Sequence, residues 1–209
     1  MKKHLIYGDL IFYLALPYLI WRFGQEPLGD YTAMLLTTVP GIFYTIYRFI
    51  SEKQFNVTGL FILSTMTLGT IIDLMSQSAE RMQWNNVYYG VALGLFWLLT
   101  ILFKKPLAMY FAIDIAYLQG HNRNDSYKLF TIPDLYPSFC WLTALFAIRN
   151  FGQAGFKAYL LNTIGIEHYD RILFYMKVYG WTFSVIIFIS FLYIANKISK
   201  YTDLTIPKS

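Results

Sequence analysis

The chain has 209 residues, a length for one domain or at most two. Hydrophobic residues make up 56% and charged residues 14%. A soluble domain carries about 25% charged residues, so this composition argues against a water-covered globule and for a lipid-facing surface. The net charge of +5 suits an anionic cytoplasmic leaflet. Its basic residues are scattered over short segments rather than gathered in one stripe, which argues against nucleic acid as a partner.

The chain opens on Met1-Lys2-Lys3-His4, like a signal peptide, but no small-residue cleavage site follows the apolar stretch, which runs on into Trp21-Arg22. It reads as an uncleaved first span. A helix needs about 20 residues to cross the hydrocarbon core. Six segments meet that need: residues 5–23, 31–47, 57–75, 87–103, 135–151 and 172–195. A turn at residues 24–30, polar stretches at 48–56 and 77–86, and Lys104-Lys105-Pro106 separate them. His121 to Asp125 is the most hydrophilic run, and a polar tail follows Lys197.

Two further apolar stretches are too short to cross. Residues 106–120 carry Asp114 and lie between Lys104-Lys105 and Arg123, so they are expected as an amphipathic helix on the cytoplasmic face. Residues 155–166 are expected as a separate outer-face helix or a re-entrant turn. The fold class is therefore all-α: a polytopic bundle of six transmembrane helices plus one surface helix, forming a single integral membrane domain over residues 1–209.

Lysine and arginine mark the cytoplasmic side. With the N-terminus inside, that side holds Lys2, Lys3, Arg48, Lys53, Lys104, Lys105, Arg123, Lys128, Lys197, Lys200 and Lys208. The other side keeps Arg22, Arg81, Arg149, Lys157, Arg171 and Lys177. This split, 11 against 6 among the 17 basic residues, places both termini in the cytoplasm.

Charges inside a span are costly and usually face protein or water. Asp9, Arg22, Asp73, Arg149 and Lys177 are such residues. By this topology Asp73, Arg149 and Lys177 share the outer side, where they form either a polar cavity or an ion-pair network, with Asp73 the expected partner of Lys177. The plainer reading has the arginines snorkelling to headgroups and the lysine paired only for structure. Pro17 and Pro40-Gly41 interrupt two spans, as in transporters that expose backbone to a substrate, or as simple packing kinks. Gly90 and Gly94 form a GxxxG that admits a close neighbour, expected within the chain rather than in a dimer. Asp9-Leu10 leading to Arg22-Phe23-Gly24-Gln25 is echoed by Asp134-Leu135 leading to Arg149-Asn150-Phe151-Gly152-Gln153, at a different spacing.

The single cysteine, Cys140, has no disulfide or CxxC partner. No HExxH, GxSxG or Walker motif and no metal-spaced His/Cys set is present, and His4, His121 and His168 fall in separate polar regions. No catalysis, metal or cofactor is expected.

The order of features nonetheless has a likeness. Asp9 opens the first span, the second ends in Tyr44-x-x-Tyr47-Arg48, and the fourth stops at Lys104-Lys105-Pro106-Leu107. A later span begins Met176-Lys177-Val178-Tyr179-Gly180. This resembles the bacterial inner-membrane septation-protein-A (YciB-type) group and its relatives, where Lys-Lys-Pro-Leu and Phe-Lys-Val-Phe-Gly hold the same places. Here Met176 replaces the phenylalanine, and residues 121–134 differ. The resemblance implies a bacterial inner-membrane protein of cell-envelope maintenance, linked to division and elongation proteins and to lipid homeostasis. It brings no catalytic residues with it. The expected function is thus non-enzymatic, exerted through membrane lipids or other envelope proteins. The alternative is a small transporter or lipid flippase with a cavity lined by Asp73, Arg149 and Lys177, and an intramembrane enzyme is a distant third.

Overall fold

The structure, a computed structural model, describes residues 11–51 and 56–205. Asp9, Lys53, both chain ends and the start of the expected first span lie outside the described residues.

Every regular element among the described residues is helical. A π-helical turn, Ile11–Ala15, leads into α1 (Leu16–Leu28). Then come α2 (Asp30–Ser51), α3 (Val57–Met75), α4 (Ala79–Leu102), α5 (Leu107–Leu118), α6 (Arg123–Phe130), α7 (Tyr136–Ile164) and α8 (Tyr169–Thr205). Four helical stretches are long and apolar enough to cross a membrane: α2, α3, α4 and Ile166–Tyr201. Their outer faces carry large apolar side chains in the open, among them Phe43 at 69% exposure, Leu74 at 61% and Phe188 at 61%. A surface of that kind belongs in hydrocarbon rather than in water. The described part of the expected first span, residues 11–23, comprises the π-helical turn and the start of α1, which runs on through most of the expected turn and stops at Leu28, before Gly29 at φ 76. The fifth, in α7, is diluted by Arg149, Asn150 and Gln153 and falls outside the four.

Local chemistry explains where the helices end, and it corrects several expectations. The polar stretch at 77–86 is not a loop. Gln77, at φ 61, turns the chain, the Ser78 Oγ accepts the Arg81 N–H at 3.2 Å, and α4 starts at Ala79. Residues 155–166 are no separate element either. Gly152 and Gly155 keep helical backbone, α7 runs unbroken to Ile164, and the stop comes at Gly165, whose φ of 77 suits glycine. Pro40 does not break α2, which continues through it. Lys104-Lys105-Pro106 does end α4 sharply. Lys104 takes φ 57, and the Lys105 N–H reaches back to the Thr100 carbonyl at 2.8 Å, a Schellman-type closure.

The chain forms two compact units. Unit 1 comprises residues 1–90 and 153–178, and unit 2 comprises residues 91–152 and 179–209. The core of unit 1 gathers Trp21, Ala33, Met34, Met82, Leu160 and Ile172. That of unit 2 gathers Ala108, Met109, Ile113, Phe130, Leu135, Phe139 and Leu142. There the Trp97 ring stacks on Phe146 with centroids 4.4 Å apart and meets Phe111 edge-on at 5.6 Å.

The short helix α5 is arranged differently from the surface helix expected of residues 106–120. It buries Ala108, Met109 and Ile113 together with its one acid, Asp114, and exposes Ile115, Tyr117 and Leu118. The acid can turn inward because Arg123 of α6 meets it at 3.0 Å. Thr143 of α7 accepts the otherwise unpaired Ala108 N–H at 3.2 Å and so anchors the start of α5.

Gly94, the second glycine of the GxxxG, receives the ring of Phe151 within unit 2. A Cβ at position 94 would lie 2.8–2.9 Å from three atoms of that ring. Gly94→Ala is therefore expected to lower stability by about 1–3 kcal/mol through overpacking. Thermal unfolding in detergent should show a drop that Phe151→Leu, combined with it, largely restores.

Candidate functional site

In unit 1 the two prolines singled out in the sequence act on different backbone features. Pro17 has no N–H to give the Tyr13 carbonyl, and the π-helical turn lies directly before it. Pro40 likewise has no N–H for the Leu36 carbonyl, yet α2 holds. Beside it, Gly41 lets the Tyr13 ring approach α2: an added Cβ would sit 3.2 Å from two ring atoms. The Tyr13 hydroxyl bonds the Thr45 Oγ1 at 2.7 Å, and that Oγ1 in turn donates to the Gly41 carbonyl at 2.7 Å.

These features surround a cavity of about 300 Å³. Its walls include Tyr13, Pro17, Thr37, Thr38, Gly41, Thr45, Tyr169 and Lys177, with Phe12, Ile42, Met66 and Leu173 supplying apolar surface. The Lys177 ammonium stands 5.5 Å from the centroid of the Tyr13 ring, a cation–π distance. Thus Pro17, Gly41 and Lys177, separate signals in the sequence, meet at one place.

Asp73 and Arg149 are not in that wall. Asp73, at the C-terminal end of α3, is 8% exposed and accepts the Asn86 Nδ2 at 2.8 Å. The cation whose charge acts on it is Lys157 of α7, not Lys177. Among the described residues no ion pair joins Asp73 to Lys177; the Asp73 carboxylate is bonded by Asn86 instead. The same polar seam holds Ser76, whose Oγ accepts the Asn85 Nδ2 at 2.9 Å, and Tyr31, whose hydroxyl donates to the carbonyls of Asp73 and Leu74 at 3.0 Å. Gln83, 1% exposed, donates to the Met34 sulfur at 3.3 Å. Asn86, Gln83 and Lys157 were the members missed in the sequence. For Gln83 and Asn86 the signal was their spacing, one helical turn, inside the polar stretch at 77–86.

Arg149 belongs to unit 2. It is half-buried, its carbonyl accepts the Tyr179 hydroxyl at 3.1 Å, and its Nε has no hydrogen-bond partner. Arg22 is exposed on α1.

Unit 2 has its own groove, of about 570 Å³, between α5, α6 and the last turns of α8. Ala112, Ala116, Phe191, Ile194 and Ile198 form its apolar wall, and His121, Asn122, Asp125 and Ser126 its polar end. Nearby, Lys197 donates its Nζ to the Asp134 carbonyl and Tyr201 bonds the Asp134 carboxylate. No group of three or more metal-ligating side chains occurs among the described residues. Comparison with protein-family models, curated proteins and solved structures finds no match.

The seam makes a sharp energetic forecast. Asn86→Leu removes the hydrogen bond to a buried carboxylate and should cost about 1–3 kcal/mol. In double-mutant cycles read by thermal unfolding, Asp73→Asn should couple with Lys157→Met and be additive with Lys177→Met. Coupling to Lys177 in place of Lys157 would reverse this assignment.

Proposed function

We propose that the chain is a non-enzymatic, multi-pass protein of the bacterial inner membrane that serves envelope or lipid homeostasis by holding a membrane lipid in the unit 2 groove. The observation that carries this reading is the groove itself. Its volume, about 570 Å³, is of the size that small-molecule sites occupy. Its composition is graded, with an apolar wall of alanine, isoleucine and phenylalanine running to a histidine, asparagine and aspartate end. An acyl chain fits the first part and a polar headgroup the second. The likeness to the septation-protein-A group points to the same kind of role, and other envelope proteins remain partners in that role.

The proposed topology is six crossings with both termini cytoplasmic. It is supported by the 11 to 6 basic split and by two side-chain pairings within units. Tyr31 at the start of α2 bonds carbonyls at the end of α3, as two successive crossings require. Asp134, just before α7, is held by Lys197 and Tyr201 near the end of α8, again two crossings away.

Protein purified in mild detergent should carry lipid that native mass spectrometry detects. Ala116→Phe, which fills the groove, should lower lipid retention at least several-fold while leaving thermal unfolding near that of the parent. Unchanged retention would remove the groove from the mechanism. For the topology, a cysteine placed at Glu26 should react with an impermeant maleimide in intact cells, and one at Asn122 should not. Labelling at Asn122 would invert the arrangement.

A further inference from the structure

Lys177 stands in the wall of the unit 1 cavity, and no carboxylate among the described residues lies within ion-pair distance of it. The three threonines beside it do not offer protons to the cavity. Thr37 donates to the Met34 carbonyl at 2.6 Å, Thr38 to the Leu35 carbonyl at 2.7 Å and Thr45 to the Gly41 carbonyl at 2.7 Å. Since the Thr45 proton is committed to Gly41, the Tyr13 hydroxyl must donate its own to the Thr45 oxygen. These four hydroxyls therefore have only lone pairs left to offer; the fifth, that of Tyr169, is turned toward Thr37 and Gln83, and the one charged donor in the wall is the Lys177 ammonium. The rings of Phe12, Tyr13 and Tyr169 and apolar groups from Ile42, Met66 and Leu173 complete the lining.

That inventory selects a ligand. One anionic group is needed beside Lys177 and one hydrogen-bond donor beside the threonine oxygens, with an apolar remainder. A phosphate fits poorly, because its several oxygens want several donors and would face acceptor-only hydroxyls. We propose that this cavity binds an α-amino carboxylate, its carboxylate on Lys177 and its ammonium on the Thr38 and Thr45 oxygens. The same chemistry has two sources, a free amino acid and the headgroup of phosphatidylserine. This site is separate from the unit 2 groove and stands or falls without it.

The test uses the full chain in detergent with radiolabelled L-leucine as the probe. Saturable binding is expected, weakened about 10- to 100-fold for the methyl ester, which lacks the anion, and similarly for 4-methylpentanoate, which lacks the ammonium. Lys177→Met should abolish leucine binding, while Lys177→Arg should keep it within about tenfold. Thr38→Val should weaken leucine but leave 4-methylpentanoate unchanged. Lys177→Met should unfold no earlier than the parent chain in the absence of ligand, since no acid among the described residues loses its partner, so loss of fold would not mask the result. Vesicles containing phosphatidylserine are then added as competitor, with phosphatidylcholine vesicles as control. Displacement by phosphatidylserine alone identifies the headgroup as the source, and no displacement identifies the free solute. Absence of saturable leucine binding together with no retention of phosphatidylserine vesicles, or equal binding by Lys177→Met, overturns the proposal.

Discussion

In hydrocarbon a polar proton has to find an acceptor inside the protein, because no water is there to take it. That requirement organises this chain. Thr65, Thr67 and Thr70 on α3 return their hydroxyl protons to carbonyls three or four residues back, and so do Ser184 and Ser190 on α8. Each helix thereby hides its own polar groups and can offer lipid an apolar face. Asn86 and Asn150 also reach a carbonyl four residues back, but a carboxylate has no proton to return and must be brought to a donor. Asp73 with Asn86, Ser76 with Asn85 and Asp114 with Arg123 are the places where helices are tied together by that need.

The same requirement separates what the sequence made legible from what it did not. Apolar runs of membrane length mark α2, α3 and α4 well, because lipid-facing composition needs no partner to be recognised. Lys104-Lys105-Pro106 stopped α4 as expected, since a proline so close to a left-handed residue leaves the helix no continuation. The polar start of α4 was read as loop for a physical reason. Gln83, Asn85 and Asn86 look hydrophilic in isolation, and their partners Met34, Ser76 and Asp73 lie on or next to other helices. Gly152 and Gly155 misled in the opposite direction. Glycine permits a break without enforcing one, and the enforcing signal was the left-handed φ at Gly165.

The candidate site shows the same division. Pro17, Gly41 and Lys177 were each visible as an interruption or a stranded charge, but their convergence depends on how α1, α2 and α8 pack in unit 1. The threonines that line the cavity carried no signal at all. Thr37, Thr38 and Thr45 are ordinary residues of an apolar helix until the direction of each hydroxyl proton is known. Asp73 was visible as a charge within a span, but its hydrogen-bond partner Asn86 lay in the polar stretch at 77–86. Charge alone identifies which residues need company. It does not say whose company they keep.

Lys104 brings two demands into conflict at one position. Its backbone sits at φ 57, where an L-residue with a Cβ is disfavoured by roughly 1–2 kcal/mol and glycine would rest easily. Its ammonium lies just past the end of a membrane-length helix, where positive charge decides which way a nascent span is threaded. Folding thermodynamics and membrane biogenesis thus ask for different residues. A lysine there keeps a positive charge at the end of the apolar helix at the cost of a permanent local strain in the folded chain.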